Sequence, residues 1–514
     1  MRPLPWLALL ALAVGCVTPA PEGERDGGNE APPDWAERVL SWPPDHDHAN
    51  ASHHAGLTTP NFEIVGYDPL FSAHYGGRTP AGYLCGDAQE TTDGRRIAVV
   101  ESRSDVGFAV ADVTDPTAPK WLGELVMPTT YVYDVAVVPD GKHLVLVTSQ
   151  AQTGSLVPPV RWQAQWRTPC APQPVPLALA QPDVLPRPAS LLLVSIEDPS
   201  APVIIDQRPL PGLGHSVSST LLDGRRWVLA SAIGAPGTDT FSFYELVDTP
   251  LGARLSLLST YAPPAAQDQL GPEVGGHDDG VIAKHPVTQQ TLAYLANRRD
   301  LTIVDLADPR APQVVGRWSD WSPEREGFSA MLHSLYPLAD VRDGRHYTII
   351  GPEWTAKPRD HPTGIVWVLD TTDPSDITAV AGWTLPHDVE WSERLHFSNH
   401  YLSVHGETLF VSMYHAGVWA VDLAPVGSEP FVNLRSVGVF MPNVVSPRPP
   451  ERYVRWTPTL EEVLAFPDGS LVTFDSNSGL YVFRFDATRP APSPEPWPIV
   501  PPKGGSGGLA PQRP

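Results

Sequence analysis

Residues 300–318, DLTIVDLADPRAPQVVGRW, constrain the fold more than any other stretch of this chain. Leu301, Ile303 and Leu306 bracket an apolar, β-branched run suited to a half-buried strand. Asp308-Pro309 ends it, because Asp caps its own turn and Pro fixes φ near −65°. Val314-Val315-Gly316 begins a return strand. Such a hairpin cannot bury its apolar face alone, so it needs copies of itself.

The copies are present. Residues 108–125 (FAVADVTDPTAPKWLGEL), 192–207 (LLVSIEDPSAPVIIDQ) and 366–383 (VWVLDTTDPSDITAVAGW) repeat it closely. Residues 241–261, 418–434 and 481–497 are degenerate copies. A second hairpin precedes each apolar strand, with turns at Asp93-Gly94, Asp140-Gly141, Asp223-Gly224, Asp343-Gly344 and Asp468-Gly469. His405-Gly406 and the loop from His285-Pro286 to Gln290 take that place in the other two units. Asp-Gly between apolar runs is a strong hairpin signal. Each unit thus reads as four antiparallel strands, and seven units start near Cys85, Tyr131, Leu213, Gly275, Met331, Phe397 and Arg455. The expected fold is all-β, a seven-bladed β-propeller of four-stranded antiparallel blades.

The seventh unit lacks its fourth strand. Residues 60–68, PNFEIVGYD, match residues 311–318, APQVVGRW, so Phe62 to Tyr67 is predicted to supply that strand and close the ring. The apolar strand with its VxDxSDPxxP-like turn resembles the LVIVD repeat family, over most of residues 85–486. The resemblance implies a β-propeller of bacterial or archaeal envelopes, mostly without assigned chemistry.

The ends of the chain read differently. Residues 1–16 form a targeting segment, with Arg2 before a short apolar core and Ala13-Val14-Gly15-Cys16 resembling a lipobox. That resemblance implies a lipoprotein anchored by Cys16, in the cell envelope and at the outer membrane. Residues 17–59 have the composition of a flexible tether and carry His46, His48, His53 and His54, a run able to bind Zn or Cu weakly or simply to be solvated. The propeller is expected over 60–487, and the Pro/Gly-rich stretch 488–514 as a disordered tail. A net charge of −23 argues against a nucleic-acid partner. With Cys16 modified, Cys85 and Cys170 remain, as a disulfide or as two thiols.

Histidines recur at the start of the innermost strands: His215, His277, His333 and His400. Tyr133-Asp134 and Cys85-Gly86-Asp87 hold that place in units two and one, and His396, His405 and His415 lie near the sixth. In a propeller these positions gather at one mouth of the channel. Converging neutral imidazoles suit Cu, Fe or Zn, with Asp134, Asp278 and Asp279 available to orient them. The arrangement is similar, in position and count only, to the four-His iron site of carotenoid cleavage oxygenases and to the His-lined site of selenium-binding-type methanethiol oxidases. The competing reading is structural, each imidazole bonding a backbone carbonyl of the next blade. Nucleophile, P-loop and zincin motifs are absent. Insertions at 151–189 and 352–364 and the tryptophans Trp318, Trp321, Trp354, Trp383 and Trp391 either line a face or pack between blades. Three functions stay open: a monomeric envelope protein binding a protein, glycan or small ligand on a propeller face, with no cofactor; a metal-dependent oxidase or oxygenase; and a structural repeat protein with no ligand.

Overall fold

The computed structural model describes residues 58–68, 70, 83–102, 107–127, 130–150, 189–233, 240–263, 279–297, 300–320, 331–353, 365–385, 398–414, 416–442, 460–475, 479–489, 491 and 499. These form seven antiparallel blades in a ring. Blade one is Tyr83–Glu90, Arg96–Ser102, Gly107–Asp112 and Lys120–Val126; blade two is Thr130–Val137, His143–Gln150, Ala189–Ser195 and Val203–Pro209. Blade three is Leu213–Leu222, Arg225–Ile233, Thr240–Thr249 and Gly252–Tyr261; blade four is Gly280–Lys284, Thr291–Asn297, Asp300–Asp305 and Gln313–Trp318. Blade five is Met331–Pro337, Tyr347–Glu353, Val366–Asp370 and Thr378–Trp383; blade six is Leu402–His405, Thr408–Ser412, Val418–Asp422 and Ser436–Phe440.

Blade seven takes Leu464–Ala465, Ser470–Asp475 and Gly479–Phe485 from the end of the chain and Phe62–Asp68 from its beginning. Phe62 pairs with Phe485 and Asp68 with Leu480. The closing strand is therefore the one predicted. Thr59 and Asn61 also bond Val439 and Val437 of blade six, so the segment ties two blades together.

The apolar alternation of each strand serves its neighbours. Each of the seven blade junctions holds its own hydrophobic cluster. Trp318 and Trp383 are buried there, edge-on or tilted against Trp367 and Trp419. Trp321, Trp354 and Trp391 lie outside the described residues.

The Asp-Pro turn has a second task. Asp115, Asp198, Asp308 and Asp373 each accept the amide two residues on, which shapes the turn. The following prolyl carbonyl then abuts the outer strand of the preceding blade. An added Cβ at Gly66, Gly123 or Gly316 would lie 2.1, 2.1 and 1.7 Å from the carbonyl oxygens of Pro116, Pro199 and Pro374. In blade three Ser259 stands at this contact and donates its hydroxyl to the Pro309 carbonyl at 2.6 Å. The Gly of the return strand is thus a docking notch for the next blade. Gly316→Ala is expected to destabilise by about 1–3 kcal/mol or more through overpacking against backbone, read as a lower urea midpoint.

The sixth unit departs from the sequence reading. Residues 418–434 do not contain its return strand, which is Ser436–Phe440. Val432–Asn433 instead runs parallel to Thr378–Trp383 of blade five. Without an Asp-Pro stop the chain crosses to the neighbouring edge first. In the Asp-Gly turns the glycines have positive φ, but Asp does so only at Asp223 and Asp343.

Where His285-Pro286 replaces Asp-Gly, a buried imidazole pair joins blades four and five. His285 Nε2 donates to the Thr371 carbonyl, and His346 Nε2 to the Leu338 carbonyl, both at 2.9 Å. The rings lie 4.5 Å apart. Burial, then the His285 charge, lowers His346 from 6.5 to about 4. Below pH 6.5 the unfolded chain binds a proton that the folded chain refuses, so stability falls as pH drops from about 6.5 through about 4. The loss should approach 3 kcal/mol at about 1.4 kcal/mol per unit. Denaturant midpoints at pH 7 and 4.5 measure it, and His346→Gln should flatten the difference.

Candidate metal centre at the channel mouth

A β-bulge recurs at one level of the innermost strands. Pairing slips by one residue around Leu84-Cys85, Tyr133, His215-Ser216 and His333. In blade six His400 and Tyr401 both bond Ser412, and in blade seven the slip falls between Leu460 and Leu464. A bulge re-aims a side chain that strict alternation would send elsewhere. Here it turns Cys85, His215, His333, His400 and Glu461 toward one another.

The contacts follow. The His333 and His400 rings lie 4.5 Å apart, and His215 and His333 6.1 Å. His215 is half-buried and also packs on Tyr133; His333 and His400 are buried. His277 and Asp278 lie outside the described residues, as do Cys16, Cys170 and the histidines of the tether. Of the expected four-His set, three are therefore placed, and they converge.

The structural reading and the metal reading meet in the same side chains. His333 Nδ1 faces the His400 carbonyl at 3.1 Å, and His400 Nδ1 faces the Glu461 carbonyl at 3.1 Å. A carbonyl only accepts, so each Nδ1 carries a proton, and in the neutral ring each Nε2 presents its lone pair. That is the tautomer a metal ligand needs, fixed by a backbone partner. His333 Nε2 lies 4.0 Å from Glu353 Oε2, and His400 Nε2 lies 3.9 Å from Glu461 Oε2. The Cys85 thiol donates to Glu461 Oε2 at 3.2 Å. Tyr414, at a left-handed φ of 47°, donates to Glu353 Oε1 and so orients that carboxylate.

Asp134 and Asp279, expected to orient imidazoles, bond backbone instead. Asp134 accepts the amides of Val135 and, in blade three, Val217, both at 2.8 Å. Asp87 does the same for Val137 of blade two, and Asp279 for Gly280 and Leu335. They latch one inner strand to the next. Burial raises Asp279 to about 6, against the lowering by the amides it accepts, and burial holds Asp87 there too. Burial and neighbouring carboxylates push Glu462 well above the usual range, and Asp134 rises for the same reasons.

Among the described residues two donor groups result: His333, Glu353 and His400, and Cys85, Glu461 and His400. Within each, the ligand atoms lie within 4.8 Å of one another, and every residue is buried. On a tetrahedral ion with bonds of about 2.0–2.3 Å, donors stand roughly 3.3–3.7 Å apart. The pairs at 3.2, 3.9 and 4.0 Å lie within a few tenths of an ångström of that range, and the remaining pairs, all within 4.8 Å, reach it by side-chain shifts of about 1 Å. The residues present therefore fit a transition metal. Sequence reasoning missed Glu353, Glu461 and the ligand role of Cys85.

No family model matches the chain, and no curated protein matches it. Solved structures do. The Saccharomyces cerevisiae Sqt1 structure aligns at 10% identity over 84% of this chain and 99% of that one, with a TM-score of 0.43. The β-propeller domain of Myceliophteria thermophila Cps50 (Swd1) aligns at 10% over 83% and 100%, with a TM-score of 0.44. Kuenenia stuttgartiensis hydrazine synthase aligns at 13% over 79% and 97%, with a TM-score of 0.43. The fold of this chain rests on its own strand pairing.

Proposed function

We propose that this chain is a metal-binding β-propeller whose channel mouth holds a divalent transition ion. The observation that carries the reading is the pair of buried imidazoles, each tied through Nδ1 to the next blade and presenting Nε2 to a carboxylate. Two imidazoles and one carboxylate leave open positions, where a bound ion supplies Lewis-acid or one-electron chemistry. A metal-dependent oxidase or oxygenase is the enzyme class this favours, with Cu, Fe or Zn as the ion. The expected lipid anchor at Cys16 would hold the propeller at the cell envelope. Membership of the LVIVD repeat family is supported by the apolar strand and its repeated Asp-Pro turn.

The test is metal analysis of protein beginning near Pro44. Close to one Cu, Fe or Zn per chain, removable by chelation and restorable by the same ion, is the expected result. Protein that carries no metal and takes up none would overturn the reading. Recognition of a protein, glycan or small ligand on the ring is the second reading. It is favoured by Leu251 and Leu257, 84% and 55% exposed on the outermost hairpin of blade three.

A further inference from the structure

The two donor groups share one residue. His400 Nε2 belongs both to the set with His333 and Glu353 and to the set with Cys85 and Glu461. Its Nδ1 is committed to the Glu461 carbonyl, so the ring has one lone pair to give. One imidazole nitrogen serves one ion. Two donors on one ion also stand no further apart than their summed bond lengths, about 4.4 Å for a thiolate and an imidazole. Among the described residues the donors come together as two overlapping groups rather than one ring of five.

The groups differ in chemistry. One offers two imidazoles and a carboxylate, a set suited to Mn(II) and Fe(II); the other offers a thiol, an imidazole and a carboxylate, which suits thiophilic ions such as Zn(II) and Cd(II). The thiol already donates to Glu461 Oε2, so an ion bound by both groups takes the place of that proton, which leaves to solvent.

We propose that the channel mouth has two mutually exclusive metal positions that pivot on His400. Oxygen- and nitrogen-preferring ions bind at His333, Glu353 and His400. Thiophilic ions bind at Cys85, Glu461 and His400. The identity of the ion thus decides whether sulfur enters its coordination sphere, and the centre never holds both ions at once. This rests on the metal-centre reading above.

The test loads the full-length protein, kept reduced in detergent, with MnCl₂ or CdCl₂ and measures affinity, stoichiometry and X-ray absorption. Cys85→Ser should weaken Cd(II) at least about 10-fold and leave Mn(II) within about 3-fold; His333→Ala should do the reverse. The ion that each variant retains reports that it is folded. A sulfur neighbour should appear around Cd(II) and be missing around Mn(II), and Cd(II) should expel Mn(II) with the total near one per chain. Two ions bound together, or Cys85→Ser weakening both ions alike, would overturn the pivot while leaving a metal centre in place. Failure to bind either ion would remove the metal-centre reading itself.

Discussion

Deletion of residues 58–68 is expected to abolish cooperative unfolding of the ring. Phe62 packs on Phe410, Phe440, Phe483 and Phe485, with ring centroids 4.9–6.3 Å apart. Phe62→Ala alone should cost about 3–5 kcal/mol. Losing the whole strand also frees the edge of Gly479–Phe485 and the bonds to Val437 and Val439. The sum rivals the roughly 5–15 kcal/mol that holds an ordinary domain together. Thermal melts should lose their single transition, and size-exclusion profiles should show association through the freed edge. Adding a peptide of residues 58–68 should restore the melt. An unchanged melting curve for the truncated protein would mean that closure contributes little.

His400→Ala should lower the affinity for every ion tested by about 100-fold or more, because both donor groups contain it. Binding to the folded state alone stabilises by about 2.7 kcal/mol at a free concentration 100 times Kd. The variant should therefore lose the metal-induced rise in Tm as well as the metal. His215→Ala is the matched comparison, since His215 reaches His333 at 6.1 Å but belongs to neither group. If His400→Ala kept its metal-induced shift, the imidazole would be structural, bonding the Glu461 carbonyl and nothing more.

The ring was legible in the sequence because each blade repeats a stop, a turn and an alternation that backbone chemistry dictates. The closing strand was legible for the same reason: PNFEIVGYD is a return strand without a preceding turn. The histidines were visible as a recurring position. Their direction was not, because alternation fixes it only where register is kept, and the bulge breaks register at that level. Glu353 and Glu461 were hidden among the 58 acidic residues of the chain. A signal existed: Glu101 lies one residue before the end of an apolar second strand, RIAVVES, and Glu353 ends another, YTIIGPE, where a charge is out of place. The blade-six return strand was missed because its turn lacks the Asp-Pro stop.

Closure by the earliest described strand also sets a timetable. Phe62 cannot pair until Phe485 has been made. At about 5–20 residues per second, the first strand waits roughly 20–85 seconds while the blades between are synthesised. During that interval an apolar strand is without its partner, and the unfinished ring has two open ends. A cell making this protein must either shield that strand or keep the whole chain unfolded until its last strand is complete.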